Sequence, residues 1–100
     1  MRRGTNPKLK FELPGPVTLS VLYITFQQNG TTVLEKTLDD VSYDREAGVI
    51  DLMLTQEDTL CFNAKEPLWV QLRLRDNLDN AVASEPMRVD VGDIFKDGVI

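Results

Sequence analysis

Histidine is absent from this 100-residue chain. That removes Ser-His-Asp and Cys-His catalysis and the commonest zinc constellations. There is a single cysteine, Cys61, so no disulfide within the chain can form, and the fold does not depend on an oxidising compartment. A nucleophilic cysteine needs a base, and in the run Leu60-Cys61-Phe62 the thiol reads as a small buried hydrophobe. No GxGxxG or Walker pattern occurs, so no phosphate-cradling loop is encoded. Long apolar runs are missing too, and with them any candidate helical membrane span. Arg2 and Arg3 imitate the start of a signal peptide, but Gly4, Thr5, Asn6 and Pro7 stand where its apolar stretch belongs. The expectation is synthesis in the cytoplasm without export by that route.

Charge excludes a further class. The net charge is −5, and an acidic domain repels a phosphate backbone, so nucleic acid is a poor partner. The four basic residues Arg2, Arg3, Lys8 and Lys10 precede the first acid, Glu12. Such an arm is ordinarily solvated, although it suits an acidic surface. Asp39, Asp40, Asp44 and Glu46 crowd one loop, and Asp76, Asp79 and Asn80 another. Calcium takes oxygen ligands of this kind, but EF-hand spacing fails in both places, since Val41 and Leu78 fall at ligand positions. Solvated turns are the simpler reading. No acid lies in an apolar run that would raise its pKa for glycoside hydrolysis. Neither a catalytic residue nor a cofactor or metal site is expected.

What the chain does have is alternation. With 42% hydrophobic and 27% charged residues its composition suits one folded domain. Apolar and polar residues exchange places every second position, the period of a half-buried strand. Leu9, Phe11 and Leu13 face one way from a first strand, which Pro14-Gly15-Pro16 stops. Leu22, Ile24 and Phe26 give Leu19 to Gln27 a strong face, with Val21, Tyr23 and Thr25 on a weaker one. Asn29-Gly30 signals a hairpin into Thr31 to Leu38. A two-residue loop sets Ile24 opposite Glu35. A three-residue loop sets Ile24 opposite Leu34, keeps apolar residues together and is preferred.

Asp39 to Gly48 reads as a loop with a short strand near Val41 to Tyr43. Val49 to Leu54 is a strand with Ile50, Leu52 and Leu54 inward. Thr55 then caps a short helical turn, with Asp58 three residues on and Leu60 and Phe62 as anchors. Leu68, Val70, Leu72 and Leu74 point inward from the clearest strand, opposite Trp69, Gln71, Arg73 and Arg75. Asp76 to Asn80 is turn chemistry, and Ala81 to Val91 is a last strand that Pro86 marks as an edge or bulge. These signals predict an all-β fold: a two-sheet antiparallel immunoglobulin-like sandwich of about seven strands with one helical turn near Thr55–Leu60. Residues 1–7 form an N-terminal arm and 92–100 a C-terminal tail of one domain spanning 1–100.

Function follows from what faces outward. Trp69 lies beside Gln71 and Arg73 on the face away from the core; it either packs under a loop or anchors a contact. The candidate interaction surface is Trp69, Gln71, Arg73, Tyr23 and Val21, although the sequence does not place the last two relative to Trp69. Ile94, Phe95, Val99 and Ile100 make the tail apolar. They are candidates for contact with a second copy, or for folding back on the sandwich.

Several segments also resemble small phage and prophage proteins of Gram-positive bacteria. These are Met1-Arg2-Arg3-Gly4-Thr5 with Pro7, Tyr23-Ile24-Thr25-Phe26-Gln27-Gln28-Asn29-Gly30 and Leu34-Glu35-Lys36. Leu54-Thr55-Gln56-Glu57-Asp58-Thr59-Leu60, Val70-Gln71-Leu72-Arg73, Ala83-Ser84 and Lys96-Asp97-Gly98 continue the likeness. The pattern is similar to the N-terminal β-sandwich domain of phage baseplate upper proteins, but without the long C-terminal extension that carries receptor binding. The resemblance implies a virion structural role in tail or baseplate. Its partners would be other phage structural proteins or copies of the chain itself. A carbohydrate-binding module built on Trp69, Gln71 and Arg73 is the alternative.

Overall fold

Alternation along the chain becomes two antiparallel sheets with their apolar sides pressed together. The computed structural model describes residues 1–100. One sheet has three strands: β1 (Lys8–Glu12), β5 (Val49–Met53) and β4 (Ser42–Asp44), in the order β1-β5-β4. The other contains β2 (Leu19–Gln28), β3 (Thr31–Thr37), β6 (Leu68–Asp76), β7 (Ala81–Ala83) and β8 (Met87–Val89). Its order is β3-β2-β6, with β7 and β8 lying end to end along the far side of β6. Each strand pair is antiparallel, which suits the short connections. A single parallel bridge, Arg2 to Gly92, joins the arm to the tail.

The core comprises Leu22, Ile24 and Phe26 of β2, Leu68, Val70, Leu72 and Leu74 of β6, and Ile50 and Leu52 of β5. Leu54, Phe62 and Val91 complete it. All the inward strand residues read from the alternation in Leu19–Gln27, Val49–Leu54 and Leu68–Arg75 are buried. Phe26 and Phe62 meet with ring centroids 5.7 Å apart, tying α1 (Gln56–Leu60) and the segment after it to β2.

Four details differ from the sequence reading. The β2–β3 hairpin closes through a two-residue loop, Asn29-Gly30, both residues with positive φ (52° and 74°), as a type I′ turn requires. A bulge between Phe26 and Gln27 then shifts the register, so Phe26 faces Leu34 and Ile24 faces Lys36, not Leu34 or Glu35. The bulge leaves Val33 as the extra residue on β3, so Phe26 faces Leu34 in place of Val33. The final strand is two pieces, because Ser84-Glu85-Pro86 interrupts it; Ser84 stitches the gap, its hydroxyl accepting from Leu72 N–H at 3.0 Å. That brings the strand count to eight. Lastly, Cys61 is exposed. It ends the helical turn and points outward, not into the core as read, while Thr59 and Phe62 are buried.

The capping expected at Thr55 is present in full. Its hydroxyl accepts from Asp58 N–H at 3.1 Å, and Asp58 Oδ2 accepts from Thr55 N–H at 3.0 Å. A 3-10 turn over Leu38–Asp40 precedes β4, one position later than the short strand read at Val41 to Tyr43. The arm is not loose. Arg3 donates to the carbonyls of Phe62 at 2.9 Å and Leu60 at 3.2 Å, and pairs with Asp93 and Asp97 at 2.9 and 3.3 Å. Ile94 is half-buried near Gly4, whereas Phe95, Val99 and Ile100 face solvent.

Candidate functional site

Strand register decides which outward residues become neighbours. On the outer side of the five-stranded sheet, β2 contributes Val21, Tyr23, Thr25 and Gln27, and β6 contributes Trp69, Gln71, Arg73 and Arg75. The ladder sets Tyr23 opposite Arg73, Thr25 opposite Gln71, Gln27 opposite Trp69 and Val21 opposite Arg75. All five residues singled out from the sequence as an interaction surface therefore share one face. Tyr23 and Trp69 are 42% and 41% exposed, so Trp69 neither enters the core nor disappears beneath a loop.

Neighbouring strands complete the array. Arg88 of β8 stands opposite Trp69, while Ala83 and Ala81 of β7 stand opposite Arg73 and Arg75. On the other side, Thr37 lies opposite Tyr23 and Glu35 opposite Thr25. Sequence reading put Thr25 on the face of Val21 and Tyr23 but did not reach Arg88, Gln27 or Glu35, because their membership depends on pairing between strands. The neutral polar side chains are held in place: Gln71 donates to the backbone carbonyl of Ser84 at 2.9 Å, Gln27 to Thr32 Oγ1 at 3.2 Å, and Thr25 to Glu35 at 3.4 Å. Such bonds restrict rotamers and leave a contact surface less to order on binding.

The face is shallow. Thr25, Gln27, Trp69, Gln71 and Pro86 line a dip of about 60 Å³. Val21, Tyr23, Arg73, Arg75 and Ala81 line another of about 220 Å³. Sites that enclose a small molecule generally offer ~300–1,000 Å³. An apolar recess of about 350 Å³ lies elsewhere, on the open side of the sandwich, where Phe11 and Leu13 approach Leu72, Leu74, Val82 and Met87.

Titratable groups follow the scaffold. Burial would raise Asp58, but Thr55 N–H and the Lys36 ammonium outweigh it and hold the carboxyl below its ordinary range. Asp76 is lowered by the Asn80 side chain and backbone, closing the turn where Asp79 takes a positive φ. Asp93 is lowered by Ile94 N–H and by Arg3, whose own guanidinium is held protonated chiefly by Asp93. In the acidic loops, Asp40 accepts from Thr37 N–H at 2.8 Å and Asp44 from Ala47 N–H at 3.2 Å, as turn carboxylates do. No group of three or more His, Cys, Asp or Glu is disposed to hold a metal ion. No helix is long and apolar enough to cross a membrane.

Comparison with models of protein families and with curated proteins finds no match to this chain. The geometry defines a β-sandwich whose five-stranded sheet presents a flat aromatic and arginine-bearing face.

Proposed function

We propose that this chain is a non-enzymatic structural module of a phage or prophage virion, tail- or baseplate-associated, that works through protein–protein contact at the outer face of β2 and β6. One observation carries the contact reading: Tyr23, Trp69, Arg73 and Arg88 share a flat, exposed surface in which the intervening Thr25, Gln27 and Gln71 side chains are pre-tied. Trp, Tyr and Arg are the residue types that dominate binding energy at protein interfaces, and flatness suits a partner surface of similar shape. The virion assignment is supported by the resemblance of the strand and turn segments to small phage proteins. Partners are other virion proteins or further copies of the chain. Its test is induction of a lysogen that encodes the chain, followed by mass spectrometry of purified particles. The chain is expected at stoichiometric abundance in the particles; confinement to the unassembled lysate contradicts the virion role.

A carbohydrate-binding module is the second reading. The dip in which Trp69 stands beside Gln27, Gln71 and Thr25 favours it, since an indole stacks on a sugar ring while amides bond its hydroxyls. A glycan array probed with the chain and with Trp69→Ala tests this. Binding that the substitution abolishes supports the module, and silence on the array removes it.

A further inference from the structure

We infer that the free edge of β1 pairs with the same edge of a second copy, antiparallel and centred on Phe11. This surface is separate from the outer face of β2 and β6. β1 ends its sheet, with β5 as its one neighbour. Leu13 N–H donates to Gly48 O and Leu54 N–H to Pro7 O, so Pro7, Leu9, Phe11 and Leu13 turn their backbone groups toward β5. Lys8, Lys10 and Glu12 therefore turn theirs outward, where no second strand meets them.

The other edges are guarded. β3 carries a bulge and the inward-pointing Lys36, β4 is short, and Ser84-Glu85-Pro86 breaks the edge that β7 and β8 share. β1 keeps an unbroken register with β5 from Lys8 to Glu12. Its inward side chains Leu9, Phe11 and Leu13 are only half-buried, whereas Ile50 and Leu52 beside them on β5 are buried. Phe11 and Leu13 open on the apolar recess of about 350 Å³, which Leu72, Leu74, Val82 and Met87 also line.

The segment Leu9-Lys10-Phe11-Glu12-Leu13 is its own antiparallel complement. A twofold axis at Phe11 sets Phe11 against its counterpart, Leu9 against Leu13 and Lys10 against Glu12. Apolar side chains then meet on the inner side and opposite charges on the outer. The hydrogen-bond phase agrees, because Lys10 and Glu12 hold the outward N–H and C=O groups and each facing pair exchanges both its bonds. Other registers fail on charge. An axis at Leu9 sets Lys8 against Lys10, and an axis at Lys10 or Glu12 sets that residue against itself. Lysines that ordinarily guard an edge here choose one register. Within the chain Lys10 reaches Glu12 only at 3.9 Å, with side chains 61% and 73% exposed, so both are free to turn to a partner. The pairing joins the two three-stranded sheets into one and brings the two recesses to a single apolar seam.

The full chain is weighed by light scattering over about a hundredfold range of concentration, reaching about 0.5 mM. A mass that climbs from one chain to two is expected. Lys10→Glu and Glu12→Lys each set like charges against each other on both sides of the axis, and each is expected to weaken association about tenfold or more. Both positions are exposed, so circular dichroism is expected to stay unchanged. Mixing the two variants restores opposite charges at both pairs. At the concentration where the native chain is half associated, the mixture is expected to regain a two-chain mass that neither variant shows alone. A one-chain mass throughout overturns the inference. Association that both variants retain also overturns it and assigns the dimer to another surface. A mixture no heavier than its components overturns it too. None of these results bears on the outer face of β2 and β6, which cross-linking from position 69 tests.

Discussion

Lys36 Nζ stands 3.1 Å from Asp58 Oδ2, joining the edge strand β3 to the N-terminal turn of α1. The side chains are 19% and 13% exposed, so the pair is largely shielded from water. The same carboxylate closes the capping box with Thr55. One side chain thus anchors the helical turn both to its own backbone and to the opposite sheet.

Removing Asp58 breaks both links. Asp58→Ala is expected to destabilise the domain by about 2–3 kcal/mol, combining cap loss with a shielded, unpaired ammonium. Lys36→Met keeps the cap and replaces the ammonium with apolar bulk, so its cost is about 1 kcal/mol or less. Urea denaturation of the two variants checks the difference; equal losses contradict the double role.

Asp58, Asp76 and Asp93 all have native pKa values held below the ordinary carboxylate value. Each therefore stabilises the fold when ionised. That contribution is full above the unfolded pKa, about 4, and fades as the pH falls through the native pKa. Stability is expected to decline on acidification below about pH 4, and less steeply in Asp58→Asn. Thermal melts across that window test it; a stability that rises toward acid contradicts the assignment.

Gly48 takes a φ of +67°, and a Cβ there would stand 3.0 Å from Gly15 O and 3.2 Å from Leu13 O. Both obstacles are backbone, so neither yields easily. Gly48→Ala is expected to cost about 2–4 kcal/mol, combining conformational strain with the close contact. Gly30→Ala has a similar φ, +74°, but open space around it, and is expected to cost only about 1 kcal/mol. Denaturant midpoints of the two variants separate strain from crowding.

Gln28 is 4% exposed and bridges β2 to the chain after α1. Its amide donates to Asn63 O at 2.7 Å and Glu66 O at 3.1 Å, and its oxygen accepts from Asn63 N–H at 2.9 Å. Gln28→Leu leaves Asn63 N–H and Glu66 O without partners and is expected to cost about 2–4 kcal/mol. Trp69→Ala on the outer face is expected to cost about 1 kcal/mol or less. Reversal of that order contradicts the division between scaffold and surface.

These cases show what pattern alone conveys. Alternation located Leu68, Val70, Leu72 and Leu74 because burial on one side of a strand is written in the strand itself. The Thr55–Asp58 cap was legible because it is local. Ile24 facing Lys36 was not, since the bulge that causes it arises between strands. Gln28, buried and bonded to Asn63, looked like a turn residue because its partners lie 35 positions away. Cys61 was misread as buried because its neighbours Leu60 and Phe62 are apolar, whereas its place at the end of α1 turns the thiol outward. Trp69, Gln71, Arg73, Tyr23 and Val21 were each legible as outward-facing, but their union on one face, and Arg88 beside them, required the ladder.

The role of that face is tested most directly by cross-linking within assembled particles. Trp69→p-benzoylphenylalanine places a photoreactive ring at its centre, and Met53→p-benzoylphenylalanine places one on the outer face of the other sheet. Irradiation is expected to join position 69 to another virion protein and to leave position 53 unjoined. Cross-links from position 53 with none from position 69 would contradict the proposal that this surface makes the contact.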